Sequence, residues 1–61
     1  MNRTYDQQAV FAVLHSVGRL TAAELAKVLH WPRTRVRKAL CALEQQGAAR
    51  HNPDRSWKTT K

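Results

Sequence analysis

Acidic residues are scarce in this sequence: four Asp and Glu stand against eleven Lys and Arg, a formal net charge of +7 over 61 residues. No two carboxylates pair at a spacing suited to general acid–base work, and no nucleophile–base arrangement is present. Only two glycines occur, Gly18 and Gly47, so there is no Gly-rich loop to cradle a phosphate. The single cysteine, Cys41, excludes an internal disulfide and predicts a reducing compartment. His15, His30 and His51 are scattered without ligand-like spacing, which argues against zinc or any other cofactor. Long apolar runs are missing too. Nothing approaches the roughly 18 residues of a membrane span, and no signal-peptide pattern opens the chain. These absences predict a soluble intracellular protein, cytoplasmic and nucleoid-associated in a bacterial cell, with no membrane partner and no small-molecule substrate.

A chain of this length predicts one domain spanning residues 1–61. It buries only roughly 60% of its extended surface, enough for one small core and too little for a deep catalytic cleft. The expectation is therefore a binding protein and not an enzyme. Core candidates are Val10, Val13, Leu14, Val17, Leu20, Leu25, Val28, Leu29, Trp31, Val36, Leu40, Leu43 and Trp57. The charge is lopsided. Residues 1–30 hold three Lys and Arg against two carboxylates, whereas residues 31–61 hold eight against two, a net +6. That asymmetry points to a phosphate-rich partner for the C-terminal half.

In chain order, Met1–Arg3 reads as a frayed start. Thr4 and Gln7 have capping-box spacing and open a first helix over about Tyr5–Ser16, closed by Gly18. Leu20 offers a short extended bridge to a later hairpin. Thr21 and Glu24 form a second capping box, with Leu20 and Leu25 as its hydrophobic staple, so a second helix starts at Ala22. Pro32 disfavours helical angles at Trp31 and forces a break there. His30 takes the left-handed position that usually falls to glycine. Pro32 is placed at the first position of a third helix, which runs to Gly47, where φ turns positive. Val36, Ala39, Leu40 and Leu43 share its apolar face. Thr34, Arg37, Lys38, Cys41 and Gln45 fall opposite, flanked by Arg33 and Arg35. Ala48–His51 and Ser56–Thr59 then flank Asn52-Pro53-Asp54-Arg55, a type I turn signal, giving a β-hairpin with Thr60–Lys61 as a tail.

Two short helices, a forced turn, a basic helix and a hairpin make a mainly α fold with a small β-hairpin: a three-helix winged helix-turn-helix. The run LTAAELAKVLHWPRTRVRKALCALEQQGAARHNPDRSWKTT resembles that superfamily. The resemblance is carried by Glu24, Ala26, Leu29, Trp31, Val36, Leu40, Leu43, Glu44 and Gly47. It implies a third helix that enters the DNA major groove and a wing on the backbone or minor groove. Small bacterial winged-helix regulators, such as those of fimbrial operons, are similar in size and in their basic, Trp-bearing hairpin. The Z-alpha domains, which bind left-handed nucleic acid, are similar from Pro32 to Leu43 and at Ser56-Trp57-Lys58. Their pattern has asparagine where this chain has Arg37, and tyrosine, which stacks on a syn base, where it has Cys41.

The favoured reading is a double-stranded DNA-binding transcriptional regulator. Arg37 and Lys38, with Thr34 and Gln45, are expected to read or touch the major groove; arginine's planar fork matches the two acceptors of guanine. Arg33, Arg35, Arg50, Arg55 and Lys58 are expected to hold phosphates, and Cys41 to allow close approach. Trp57 is either core or a stacking surface for sugar or base. A homodimer, or a larger partner regulator, would supply grip that one small domain lacks. The alternatives are a Z-form binder and a protein-interaction module. The charge distribution speaks against the latter, because the outer face of the third helix carries no apolar anchor.

Overall fold

The computed structural model describes residues 4–60. Its elements are α1 (Tyr5–Val17), β1 (Leu20–Thr21), α2 (Ala22–Leu29), α3 (Arg33–Gln45), β2 (Ala49–His51) and β3 (Ser56–Thr59). The strands form one antiparallel sheet in the order β1-β3-β2, with Leu20 opposite Trp57, and His51 opposite Trp57 from the other side. This is the three-helix winged helix-turn-helix that the sequence predicts, including the short bridge at Leu20.

Local chemistry accounts for each boundary. Thr4 Oγ1 accepts from the Gln7 N–H at 3.2 Å, but the expected capping box is only half formed, because the Gln7 side-chain Oε1 accepts from Gln46 Nε2 at 2.8 Å instead, tying α1 to the end of α3. The box at α2 is complete: Thr21 Oγ1 accepts from the Glu24 N–H at 3.1 Å, and Glu24 Oε1 accepts from the Thr21 N–H at 2.8 Å. His30 sits at φ 58° and ψ 41°, the left-handed terminator expected of it. There Trp31 N–H reaches the Ala26 carbonyl at 3.0 Å, a Schellman closure. Gly47, at φ 76°, closes α3 in the same way, with Ala48 N–H on the Leu43 carbonyl at 2.9 Å.

Pro32 lies one residue earlier than expected. With φ −61° and ψ 147° it is the N-cap, not the first helical residue, and its side chain has nothing with which to cap. Helix α3 therefore starts on Arg33 without a side-chain acceptor for its first N–H groups.

Val10, Leu14, Leu25, Val36, Leu40 and Leu43 are fully buried at the centre. Two core expectations fail: Val17 is 59% exposed and Val28 54% exposed. Each lies within the last two residues of its helix, where the stripe runs out from under its neighbours. Trp31 is half-buried and packs against the rim of the core. The ~3–5 kcal/mol associated with deleting a fully buried aromatic is thus an upper bound for it. Ala26, Ala39, Ala48 and Ala49 complete the core, their small side chains letting backbones approach closely. Trp57 is 7% exposed and belongs to the core.

Residues 1–3, read as a frayed start, and Lys61 of the tail lie outside the described residues. Thr60 is not loose, since its N–H donates to the Ala48 carbonyl at 3.1 Å and its Oγ1 to the Gly47 carbonyl at 2.7 Å. Among the described residues, no helix is long and apolar enough to cross a membrane.

Candidate nucleic-acid interface

Helix α3 turns its buried stripe of Val36, Ala39, Leu40 and Leu43 inward, so its polar residues form an outer face with two edges. One edge meets the hairpin. There Arg33, Arg37, Cys41 and Glu44 line a cleft with Thr21, Ala22 and Ala23 of the β1–α2 junction and His51, Arg55 and Trp57 of the wing. The cleft encloses about 630 Å³. The other edge meets the start of α1, where Thr34, Arg35, Lys38, Ala39 and Ala42 face Thr4, Asp6 and Gln7 across a groove of about 550 Å³.

The eleven residues singled out in the sequence are thus divided. Arg33, Arg37, Cys41, Arg55 and Trp57 come together in the wing-side cleft. Thr34, Arg35 and Lys38 line the α1-side groove. Gln45 is exposed in the last turn of α3, outside both. Arg50 and Lys58 stand directly opposite each other on neighbouring strands. Residues directly opposite share a sheet face, and neighbours along a strand alternate. Trp57, His51 and buried Ala49 therefore occupy the inner face, and Arg50 and Lys58 the outer one.

Arg35, expected to hold a phosphate, is already paired in the free domain. Its Nε donates to Asp6 Oδ2 at 2.9 Å and its Nη2 to Asp6 Oδ1 at 2.8 Å, a bidentate fork. Its guanidinium carbon sits 3.8 Å from the Trp31 ring centroid. The hydrogen bond from Arg35 holds the Asp6 carboxyl below its ordinary value of 3.8, and the same bond raises Arg35. Both partners remain about two-fifths exposed, so water screens the attraction. Geometry makes Arg35 a clamp between α1, α3 and the inter-helix turn. Periodicity put it on the flank of the helix but had no means of finding Asp6, 29 residues away.

The wing carries its own internal bonding. Arg55 N–H donates to the Asn52 carbonyl at 3.1 Å, and Asn52 N–H to the Ser56 carbonyl at 2.8 Å. Asp54 accepts from the Ser56 N–H and hydroxyl, and these bonds hold its carboxyl below the ordinary 3.8. Arg19 approaches Asp54 at 3.7 Å. Arg55 itself is at φ 72°, a left-handed conformation that a non-glycine residue adopts at a cost. Among the described residues, Arg33, Arg37, Lys38, Arg50, Arg55 and Lys58 enter no ion pair.

Of the charged and ring-bearing residues that line the wing-side cleft, Glu44 and His51 escaped the sequence reading. Glu44 puts a negative charge in the cleft. A 100° helical step sets it within about 20° of both Arg33 and Arg37, so the helical wheel held that signal. His51 stacks on Trp57, with ring centroids 4.4 Å apart and an interplanar angle of 14°. Its place follows from hairpin register, which the turn sequence alone implied. No cluster of three metal-ligating side chains occurs among the described residues.

Three packed helices, a two-residue bridge strand and a hairpin beside the third helix define a winged helix-turn-helix domain. Residues 7–50 match the RNA polymerase III subunit RPC82 helix-turn-helix domain family, and the chain belongs to it. No curated protein gives a significant sequence match. Among solved structures, the fold is similar to that of the Zalpha domain of ORF112 from Cyprinid Herpesvirus 3, described in its binding mode to Z-DNA. The TM-score is 0.81 at 20% identity, covering 95% of this chain and 98% of that one. At that identity the likeness is one of fold.

Proposed function

We propose that this winged helix binds double-stranded nucleic acid, with the outer face of α3 against a groove and the wing against the backbone, as a DNA-binding regulator. The observation that carries the reading is the convergence of Arg33 and Arg37 from α3 with Arg55 from the wing on one cleft. Several cations of this surface stand at positions that oppose the stability of the isolated domain. Arg33 sits in the first turn of α3, at the positive end of the helix dipole, with no acidic residue beside it. Arg33 and Arg37 are four apart, a repulsive spacing for like charges, and Arg50 faces Lys58 across the hairpin. Local choices that oppose the stability of the free domain are expected at functional sites. A polyanion reverses the sign of each.

Lys38 and Thr34, on the opposite edge, extend the contact toward a second stretch of backbone. Dimerisation, or binding beside a larger regulator, would add the grip that three or four cations cannot supply alone. Fluorescence anisotropy with a labelled duplex at several salt concentrations tests the reading. The expected result is an affinity that falls linearly on logarithmic axes, at about 0.9 per phosphate neutralised. Absence of binding, or binding indifferent to salt, refutes it.

A second reading, left-handed nucleic acid, is favoured by the fold likeness to a Zalpha domain described with Z-DNA. Arg37 and Cys41 count against it, since they replace the asparagine and the stacking tyrosine of that pattern. An alternating CG duplex decides the matter: its circular dichroism inverts on adding protein if the second reading holds and stays right-handed otherwise.

A further inference from the structure

The wing-side cleft contains an aromatic surface that right-handed groove reading leaves unused. His51 lies flat on Trp57, 4.4 Å between centroids and 14° from parallel. Trp57 is almost wholly buried, whereas His51 is exposed. One face of the imidazole is thus backed by the indole, and the exposed ring lines the cleft beside it. Among the described residues, the His51 ring has no hydrogen bond and no aromatic neighbour other than Trp57. Two strand positions in direct register place the rings side by side, so the stacked pair is already formed in the free domain.

We infer that His51 is a stacking platform for a nucleobase that has left the duplex stack. The inference rests on the nucleic-acid reading above and deepens it. A base inside a duplex has both faces covered by its neighbours, so only an unpaired or extruded base can present a face to a ring. The cleft suits such a guest. Its volume of about 630 Å³ lies within the range of small-ligand pockets. The lining of the cleft also includes the small side chains of Ala22, Ala23 and Cys41, which leave room for a ring. Arg33, Arg37 and Arg55 stand at the same cleft to take the phosphates on either side of the extruded nucleotide.

The test uses the full chain and two labelled duplexes of one sequence, one fully paired and one with a single unpaired 2-aminopurine. The wild type is expected to bind the second more tightly and to quench the 2-aminopurine as the base stacks. His51→Ala should lose about tenfold on the unpaired probe, a middling value for an aromatic–base stack, and less than twofold on the paired one. His51→Phe, which keeps a flat ring, should restore both preference and quenching. Thermal melting establishes that each variant is folded; should His51→Ala not fold, the bulky but non-planar His51→Leu takes its place. Equal losses on both probes, or failure of phenylalanine to restore quenching, overturn the inference. If the wild type binds both probes equally and His51→Ala changes nothing, the platform falls while the interface stands. If the wild type binds neither, the interface falls and the platform with it.

Discussion

The structure separates the arginines of the C-terminal half by what stands beside each, and a salt-dependence series distinguishes their roles. Consider Arg33→Gln, Arg37→Gln, Arg55→Gln and Arg35→Gln, each measured for duplex affinity between 50 and 200 mM salt. Each phosphate contact removed should flatten the slope of log affinity against log salt by about 0.9, so the triple change at 33, 37 and 55 should flatten it by about 2.7. Over that fourfold range of salt, a slope of 2.7 corresponds to about 40-fold in affinity. Arg35→Gln should behave differently. Its fork is occupied by Asp6 and its face by Trp31, so the salt slope should stay within error of the wild type. Its effect should appear as a lower thermal midpoint, because the clamp joins α1 to α3. If Arg35→Gln flattens the slope as much as Arg37→Gln does, the Asp6 pair opens on binding and the division of α3 into two edges is wrong.

Other consequences can be checked on the free domain. Leu40 is fully buried, and Leu40→Ala should cost about 2–5 kcal/mol, comparable with the roughly 3–9 kcal/mol total of so short a chain. Urea titration should find it largely unfolded. Thr21→Ala removes half of a complete capping box and should cost about 0.5–2 kcal/mol, read by the same titration. Asp6 and Asp54 both have folded values below the ordinary 3.8. Their stabilising contribution is therefore full above the unfolded value and is lost as pH falls through the lower folded ones. Acid titration of the melting temperature should show that loss, and Asp6→Asn should make it shallower; an unchanged acid limb would dismiss the pair. Arg55→Gly relieves a left-handed backbone and removes a cleft cation, so it should raise the melting temperature while weakening duplex binding. A drop in both would mean that φ at Arg55 is not a source of strain.

The fold was legible because it is made of short-range signals. The N-cap at Thr4, the capping box at Thr21, the break before Pro32, the left-handed stops at His30 and Gly47 and the turn at Asn52 each act within four or five residues. Val17 and Val28 were misread for the opposite reason. Their periodicity is correct, but whether a stripe is covered depends on where the neighbouring helices end, which no local pattern encodes. Pro32 was one residue out because φ alone suits both N-cap and first helical position, and ψ distinguishes them.

The site was legible as a face and illegible as an arrangement. A 100° step places Arg33, Arg37 and Cys41 toward one edge of α3 and Arg35 toward the other, with Thr34, Lys38 and Gln45 between. What the helical wheel lacks is the identity of whatever stands at each edge. Asp6 and Trp31 at one edge turn a cation into a clamp. His51 and Trp57 at the other turn an ordinary wing into the wall of a cleft. Both facts depend on contacts between residues far apart in sequence or on strand register, where a one-residue slip would exchange His51 with Arg50 on the inner face. The hairpin turn sets that register, so the four residues Asn52 to Arg55 decide whether the cleft carries an aromatic ring or another cation. Lengthening the turn by one residue should therefore impair the cleft more than neutralising Arg50 or Lys58 on the outer face, and parallel binding titrations on the two kinds of variant would reveal the order.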